Sequence, residues 1–127
     1  MTQLVLGWLL PAEERTPLLA LIPPRYPRVV AHHVTLKPSV KKGHPLPKEA
    51  VGRVVGLADD GKGVQAVVVE IGGTTHRPGG SIYHITWSLG PGRKPVESND
   101  VIRDHGWTPL DPPRDIRLEP ALFGTTG

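Results

Sequence analysis

The sequence predicts an α+β fold made mostly of antiparallel strands, with one or two short helices. Its 127 residues include 15 glycines and 15 prolines, and both residue types interrupt regular elements, which predicts short strands and long loops. Two valine-rich runs around a glycine-containing turn predict a β-hairpin. The length predicts a single domain over residues 1–123, with a frayed tail over residues 124–127.

The first half of the chain predicts a strand, a helix and a second strand. The apolar run 4–10 fits a strand. We expect it to be the first strand of the fold rather than a signal peptide, because it lacks a basic start and no small-residue cleavage site follows it. A helix comes next, with acidic residues in its first turn and the double proline Pro23-Pro24 at its end. A second strand covers residues 28–37, and Pro38 closes it.

The second half predicts a basic loop followed mainly by strands. We interpret residues 39–50, which carry three lysines and a histidine, as a solvated connection. Residues 51–58 and 64–71 form the hairpin, and an Asp-Gly turn joins them. A further strand covers residues 81–89, and the alternation of polar and apolar residues at 115–119 predicts the last strand.

The composition narrows the classes of function. The chain has no cysteine, which excludes disulfides, thiolate zinc sites and thiol nucleophiles. Its formal charge of +3 and its isoelectric point near 9.5 favour an anionic partner. The apolar stretches have the length of strands rather than of membrane spans, so we expect a cytoplasmic protein with no membrane partner.

Two of the predicted strands carry the same pattern of a histidine, an apolar residue, a threonine and another apolar residue. Because side chains alternate across a strand, His33 and Thr35 share one face, and so do His84 and Thr86. The apolar residues between them point toward the core. The pattern predicts one site with paired imidazoles and paired hydroxyls.

Such a site has the groups needed for acid/base chemistry on a phosphodiester. An imidazole titrates near pH 6.5, so one ring can be neutral while the other is protonated. One histidine would deprotonate the attacking water and the other would protonate the departing oxygen. The threonine hydroxyls would hydrogen-bond phosphate oxygens as charge develops there. This scheme requires neither a metal nor a cofactor.

The two motifs resemble a known family. His33-Val34-Thr35 and His84-Ile85-Thr86 are similar to the two His-x-Thr/Ser motifs of the 2H phosphoesterases, which lie on strands that face each other across a cleft. The resemblance implies a bilobal fold of antiparallel sheets related by a pseudo-two-fold axis. The two histidines are 51 positions apart, closer than is usual in that family, so we expect a compact member.

The resemblance also implies a function. It implies a metal-independent phosphodiesterase that hydrolyses 2′,3′-cyclic phosphate on RNA ends or nucleotides, with His33 as the acid and His84 as the base. A 2′-hydroxyl is needed to form this ester, so RNA is the expected partner and DNA is not. The expected protein is a monomer in RNA processing, with an RNA-repair kinase or ligase as a candidate partner.

Six further residues near the motifs are candidates for substrate binding. Four are cations in or beside the motif strands and their loops, where solvated surface charge is the alternative role. The other two offer an N-cap for a short helix, whose N-terminus could hold an anion if it faced the cleft. The six are Lys37, Arg77, Arg93, Lys94, Ser98 and Asn99.

Three alternatives remain open. The first is a non-catalytic β-rich module that binds RNA or another anionic ligand, and the second is hydrolysis of cyclic oligonucleotide signals. The third is a zinc site built from His33, His84 and one further histidine, although no carboxylate or cysteine pattern accompanies it. His32 should point away from His33, and Tyr83 and Trp87 toward the core, which leaves all three outside the site.

Overall fold

The computed structural model describes residues 4–124. Within this range the chain forms two helices and eight strands in two antiparallel sheets, which confirms the predicted α+β class. The elements are β1 (Leu4–Leu9), α1 (Ala12–Leu21), β2 (Arg28–Val29), β3 (His33–Val40), β4 (Val51–Asp59), β5 (Val64–Glu70), β6 (His84–Leu89), α2 (Glu97–His105), β7 (Thr108–Arg117) and β8 (Glu119–Phe123). Of the predicted frayed tail, all but Gly124 lies outside the described residues. Neither described helix is long and apolar enough to cross a membrane.

The smaller sheet has three strands in the order β3-β1-β8. β1 is the central strand, and its apolar side chains Val5, Leu6 and Trp8 are all buried. In the pairing of β1 with β3, Leu9 lies opposite His33 and Gly7 lies opposite Thr35. The first His-Thr strand is therefore an edge strand whose position is set by β1.

The larger sheet has five strands in the order β2-β6-β5-β4-β7. The predicted hairpin is confirmed as β4 and β5. In its turn the Asp60 carboxylate accepts hydrogen bonds from the backbone N–H groups of Lys62 (2.8 Å) and Val64 (3.0 Å). Gly61 and Gly63 have φ values of 68° and 111°, which glycine adopts without steric cost. This hairpin supports β6, the second His-Thr strand.

The main core contains Trp8 and Trp87, which are both almost fully buried. Trp87 is 0% exposed and its indole N–H donates to the Ile22 carbonyl at 2.8 Å. Trp8 packs edge-to-face against Tyr83, with ring centroids 5.7 Å apart. The core positions predicted for Tyr83 and Trp87 are therefore confirmed, and α1 is tied to the larger sheet through Ile22.

The predicted strand 28–37 is wrong in one respect, because the chain changes sheets inside it. Residues 28–29 pair with β6, whereas residues 33–40 pair with β1. The break falls at Ala31, which has a φ of 44° and is 0% exposed. β3 also continues through Pro38 to Val40. Proline is tolerated there because β3 is an edge strand, where a missing N–H breaks no ladder bond.

Three further boundaries differ from the predictions. β6 begins only at His84, and α2 begins at Glu97, so Ser98 and Asn99 lie in its first turn rather than at its N-cap. The predicted strand 115–119 is divided between β7 and β8, which belong to different sheets. An alternating pattern fixes which residues are buried, but not the point at which a chain leaves one sheet for the other.

We predict that Gly7→Ala destabilises the fold by about 1–3 kcal/mol, because a Cβ atom there would overlap the Val34 carbonyl oxygen on β3. Urea unfolding measures the effect. The control is Gly124→Ala, where a Cβ atom meets nothing within 4 Å. Equal stability of the two variants would contradict the close packing of β1 against β3.

Candidate active site

β3 and β6 flank a cavity of about 600 Å³, within the size range of small-molecule sites. Its polar wall contains His33 and Thr35 from β3 and His84 and Thr86 from β6. Apolar side chains complete the wall, among them Val5, Val30, Pro38, Pro95 and Val96. The structure thus brings all four residues of the two predicted motifs into one cavity.

Alternation along each strand explains this convergence. Val34 and Ile85 lie between the members of each pair, and both are 0% exposed in the main core. Burying them turns the histidine and threonine of each strand toward the cavity. The apolar position of the motif therefore anchors the strand, and its neighbours project into the site.

His84 is oriented by a backbone contact. Its Nδ1 lies 2.8 Å from the Ile82 carbonyl oxygen. A carbonyl oxygen can only accept, so Nδ1 carries the proton, and Nε2 of the neutral ring is unprotonated. Burial lowers the pKa of His84, and the charge of Arg77 lowers it further, against the opposing effect of the Ile82 hydrogen bond. His84 is thus a neutral imidazole with an acceptor nitrogen.

His33 has a second histidine as its hydrogen-bond partner. Its Nδ1 lies 3.0 Å from Nδ1 of His32, so one of these two nitrogens carries a proton and the other accepts it. The Phe123 ring packs against His33 with centroids 4.8 Å apart. Burial lowers the pKa of His33 to about 4, and the charges of His32 and His84 act in the same direction.

The two lowered pKa values change the expected protonation of the site. Since the pKa values of His33 and His84 both lie below the ordinary 6.5, both rings are neutral in the free protein at pH 7. The sequence predicted one neutral and one protonated ring. The difference arises because burial disfavours the charged imidazolium. A bound anion would reverse that effect for the ring beside it.

The two threonines are not equivalent. Within residues 4–124 the Thr35 hydroxyl has no hydrogen-bond partner, although it lines the cavity. The Thr86 hydroxyl lies 2.8 Å from Ser98 Oγ and donates to the Pro95 carbonyl at 3.2 Å. Ser98 is 0% exposed and does not line the cavity. Ser98, predicted to bind substrate, therefore contacts Thr86 instead, and Thr35 has the available hydroxyl.

Arg77 places a positive charge in this cavity. Its half-buried side chain lines the wall, and no acidic group or hydrogen-bond acceptor within residues 4–124 contacts its guanidinium. Burial lowers the pKa of Arg77, against a smaller opposing effect of Tyr83, because partial loss of water disfavours the charged form. Its backbone is fixed, because the Arg77 N–H donates to the Ser81 carbonyl at 2.7 Å. Such a cation is a natural ligand for an anion.

The other predicted cations lie outside this cavity. Lys37 is exposed on β3. Arg93 pairs with Asp60 (2.9 Å) and Glu97 (3.0 Å), which neutralise its charge. Lys94 and Arg93 line a second cavity of about 640 Å³.

The second cavity adjoins the first, since Val30, His32 and Pro95 line both. Arg28, which was not among the residues predicted from the sequence, also lines the second cavity. Asn99 lines the first cavity and donates from Nδ2 to the Val96 carbonyl at 3.1 Å. The second cavity thus lies beside the first and carries the cationic side chains Arg28 and Lys94.

The prediction that His32 points away from the site is wrong. Its side chain is exposed, and it lines the first cavity beside His33. Strict alternation does not apply, because Ala31 has a left-handed φ and His32 precedes the first residue of β3. The adjacent pair of histidines was the only sequence signal for this arrangement.

Metal binding can be judged from the ligands present. Within the described part of the chain, no group of three or more His, Cys, Asp or Glu side chains is placed to hold a metal ion. A zinc site built from His33, His84 and a third histidine therefore has no complete ligand set there. Zinc sites in proteins take three or four such ligands.

Three comparisons with known proteins gave no match: no protein-family model, no curated protein and no solved structure matches the chain. The function must therefore be inferred from the geometry of the site. The groups that line the first cavity are the neutral imidazoles of His33 and His84, the exposed ring of His32, the Thr35 hydroxyl and the Arg77 guanidinium.

We predict that the free energy of unfolding falls by up to about 3 kcal/mol between pH 6.5 and pH 4 because of His33. In this window the unfolded chain protonates His33 and the folded chain does not, so stability decreases as the pH is lowered. Urea unfolding at several pH values measures the slope. The His33→Gln variant should show a shallower slope, whereas His44→Gln, altered in an exposed loop, should match the wild type. Identical slopes for all three proteins would contradict the burial of a neutral His33.

Proposed function

We propose that the protein is a metal-independent phosphodiesterase that hydrolyses 2′,3′-cyclic phosphate on RNA ends or nucleotides, as a compact member of the 2H phosphoesterases. The observation that carries this proposal is the unpaired Arg77 in the same cavity as His33 and His84. A half-buried cation without an acidic partner in the described residues favours an anionic ligand. Two imidazoles beside that anion supply the acid and the base for its hydrolysis.

The reaction assigns one task to each group. The cyclic phosphate binds with its non-bridging oxygens at the Arg77 guanidinium and the Thr35 hydroxyl. His84 Nε2 accepts a proton from water, and the resulting oxygen attacks phosphorus. The P–O bond to one ribose oxygen breaks, and that oxygen takes a proton from His33. The product is a phosphate monoester with one free ribose hydroxyl.

His84 is the better candidate for the base. Its Nδ1–H is committed to the Ile82 carbonyl, so only Nε2 can take up a proton, and that nitrogen is unprotonated in the neutral ring. The imidazolium that forms keeps its Nδ1–H hydrogen bond, which offsets part of the cost of charging a buried ring. The assignment leaves His33 as the acid.

Arg77 and Thr35 would act most strongly in the transition state. Negative charge builds up on the phosphate oxygens as water attacks, and donors in a water-poor site stabilise that charge more than they do in bulk water. The loop that carries Arg77 is held by its own backbone hydrogen bonds, which fix the point from which this side chain reaches the cavity.

The adjoining cavity favours an RNA end over a mononucleotide. A cyclic phosphate bound between His33 and His84 would let the preceding nucleotides extend toward the second cavity. Arg28 and Lys94 line that cavity, where they can neutralise backbone phosphates. We expect an oligonucleotide ending in a cyclic phosphate to show a lower KM than a 2′,3′-cyclic mononucleotide.

The test is turnover of 2′,3′-cyclic mononucleotides and of RNA ending in a cyclic phosphate, both in EDTA. We predict that His33→Ala and His84→Ala each lower kcat by about 100- to 10,000-fold, because each removes one proton-transfer group. His44→Ala, changed in the exposed 41–50 loop, should retain full activity. Activity that requires added metal, or that survives both substitutions, would overturn the proposal. A wild-type protein that binds RNA without turnover would indicate the non-catalytic module instead.

We predict that Arg77→Ala lowers kcat/KM for the cyclic phosphate by about 100-fold, since it removes a charge-assisted contact to the phosphate. Arg77→Lys should recover part of this loss because it keeps the charge but not the forked geometry. Lys37→Ala, which removes an exposed cation outside the cavity, is the matched control. Steady-state kinetics at constant ionic strength distinguish these variants, and equal losses for Arg77→Ala and Lys37→Ala would exclude a specific phosphate contact.

A further inference from the structure

We propose that His32 is a positioning residue that donates its Nδ1–H to His33, so that Nε2–H of His33 faces the cavity, and that it resupplies the proton that His33 gives up. This inference rests on the proposed function. The geometry behind it is the 3.0 Å separation between the two Nδ1 atoms. This contact gives the exposed His32 a specific role beside His33, the acid of the proposed reaction.

The proton between the two Nδ1 atoms can belong either to His33 or to His32. If His33 donates, its Nε2 faces the ligand unprotonated, and the site then contains two bases and no acid. If His32 donates, Nε2 of His33 carries the proton and can reach a departing oxygen. Because His84 already presents an unprotonated Nε2, through its Nδ1–H bond to Ile82, the second arrangement supplies the missing acid.

The proton balance also favours this arrangement. A neutral His33 that loses its Nε2 proton would become an imidazolate, which is strongly unfavourable. Transfer of the His32 Nδ1 proton to His33 Nδ1 in the same step leaves His33 neutral. The transfer requires a doubly protonated His32, which becomes a neutral imidazole with its proton on Nε2. In the next step the Nδ1 proton moves back from His33 to His32 while Nε2 of His33 takes up a proton from water, and the pair regains its starting state.

The surroundings keep His32 in place. Its carbonyl accepts a hydrogen bond from the Leu10 N–H at 2.9 Å. Its ring packs edge-on against Phe123 and His33, with centroids 6.0 Å and 5.2 Å away. His32 lines both cavities, so one side faces the site while the rest is open to solvent.

Other charges near His33 are few within the described residues. They are His84 on β6 and Arg77 in the preceding loop, both lining the same cavity. Two strands away, Glu119 of β8 lies in the same register row, because Leu9 pairs with both His33 and Glu119. None of these groups hydrogen-bonds to His33, so His32 is its direct partner for proton exchange.

The first test measures the histidine tautomers of the ligand-free protein by nitrogen NMR. In the wild type at pH 7 we expect His33 with its proton on Nε2. His32→Asn keeps a side-chain N–H close to His33 Nδ1 and should preserve this tautomer, whereas His32→Ala should give a mixture of tautomers. A His33 proton on Nδ1 in the wild type, or an unchanged tautomer in His32→Ala, would overturn the proposal.

The second test measures turnover of a 2′,3′-cyclic nucleotide. Both His32→Asn and His32→Ala should lower kcat by about 10- to 100-fold with little change in KM, because neither side chain can carry a proton to His33. Added imidazole should restore part of kcat. A merely structural role for His32 predicts no imidazole rescue, and unchanged kcat in both variants would refute proton supply.

The two tests separate this inference from the proposed function. A wild-type protein that hydrolyses no cyclic phosphate would defeat the proposed function and, with it, the supply of protons to a leaving group. The NMR measurement would still decide the direction of the His32–His33 hydrogen bond. An active wild type with an unaffected His32→Ala variant would defeat only the inference about His32.

Discussion

The candidate site depends on the short segment at residues 30–31, which is hydrogen-bonded to one sheet and leads directly into the other. The Ala31 N–H donates to the Thr86 carbonyl at 2.9 Å, and the backbone then takes a left-handed φ of 44°. Arg15 of α1 donates to the Ala31 carbonyl at 3.0 Å. His33 follows two residues later, so it cannot move away from β6 without breaking these bonds.

This connection explains why the two halves of the site differ. β6 lies inside the larger sheet, so its Thr86 is 7% exposed and hydrogen-bonds to the buried Ser98. β3 lies at the edge of the smaller sheet, where Thr35, and His32 just before the strand, line the cavity and are more exposed. For the proposed reaction, the rigid half suits the base, whose orientation is fixed, and the open half suits an acid that receives its proton through the exposed His32.

The sequence predicted what depends on local alternation and missed what depends on a single backbone angle. The pairs His33 with Thr35 and His84 with Thr86 follow from period-two alternation around buried apolar residues, so both were predictable. The change of sheet at Ala31 has no sequence signature, because a left-handed alanine is unusual for its residue type. His32 was misplaced for that reason. The unpaired state of Arg77 depends on which acidic residues lie near it in space.

Burial of the two imidazoles has opposite consequences for the empty and the occupied site. In the empty site it lowers the pKa of His33 to about 4 and also lowers that of His84, so both rings are neutral at pH 7. A phosphate anion in the cavity would stabilise an imidazolium beside it, and the low local dielectric would strengthen that attraction. Anion binding and protonation are then linked, and each favours the other by the same free energy. For the proposed reaction, an anion in the cavity would thus favour the extra proton on the His32–His33 pair, which is the proton needed by the departing oxygen.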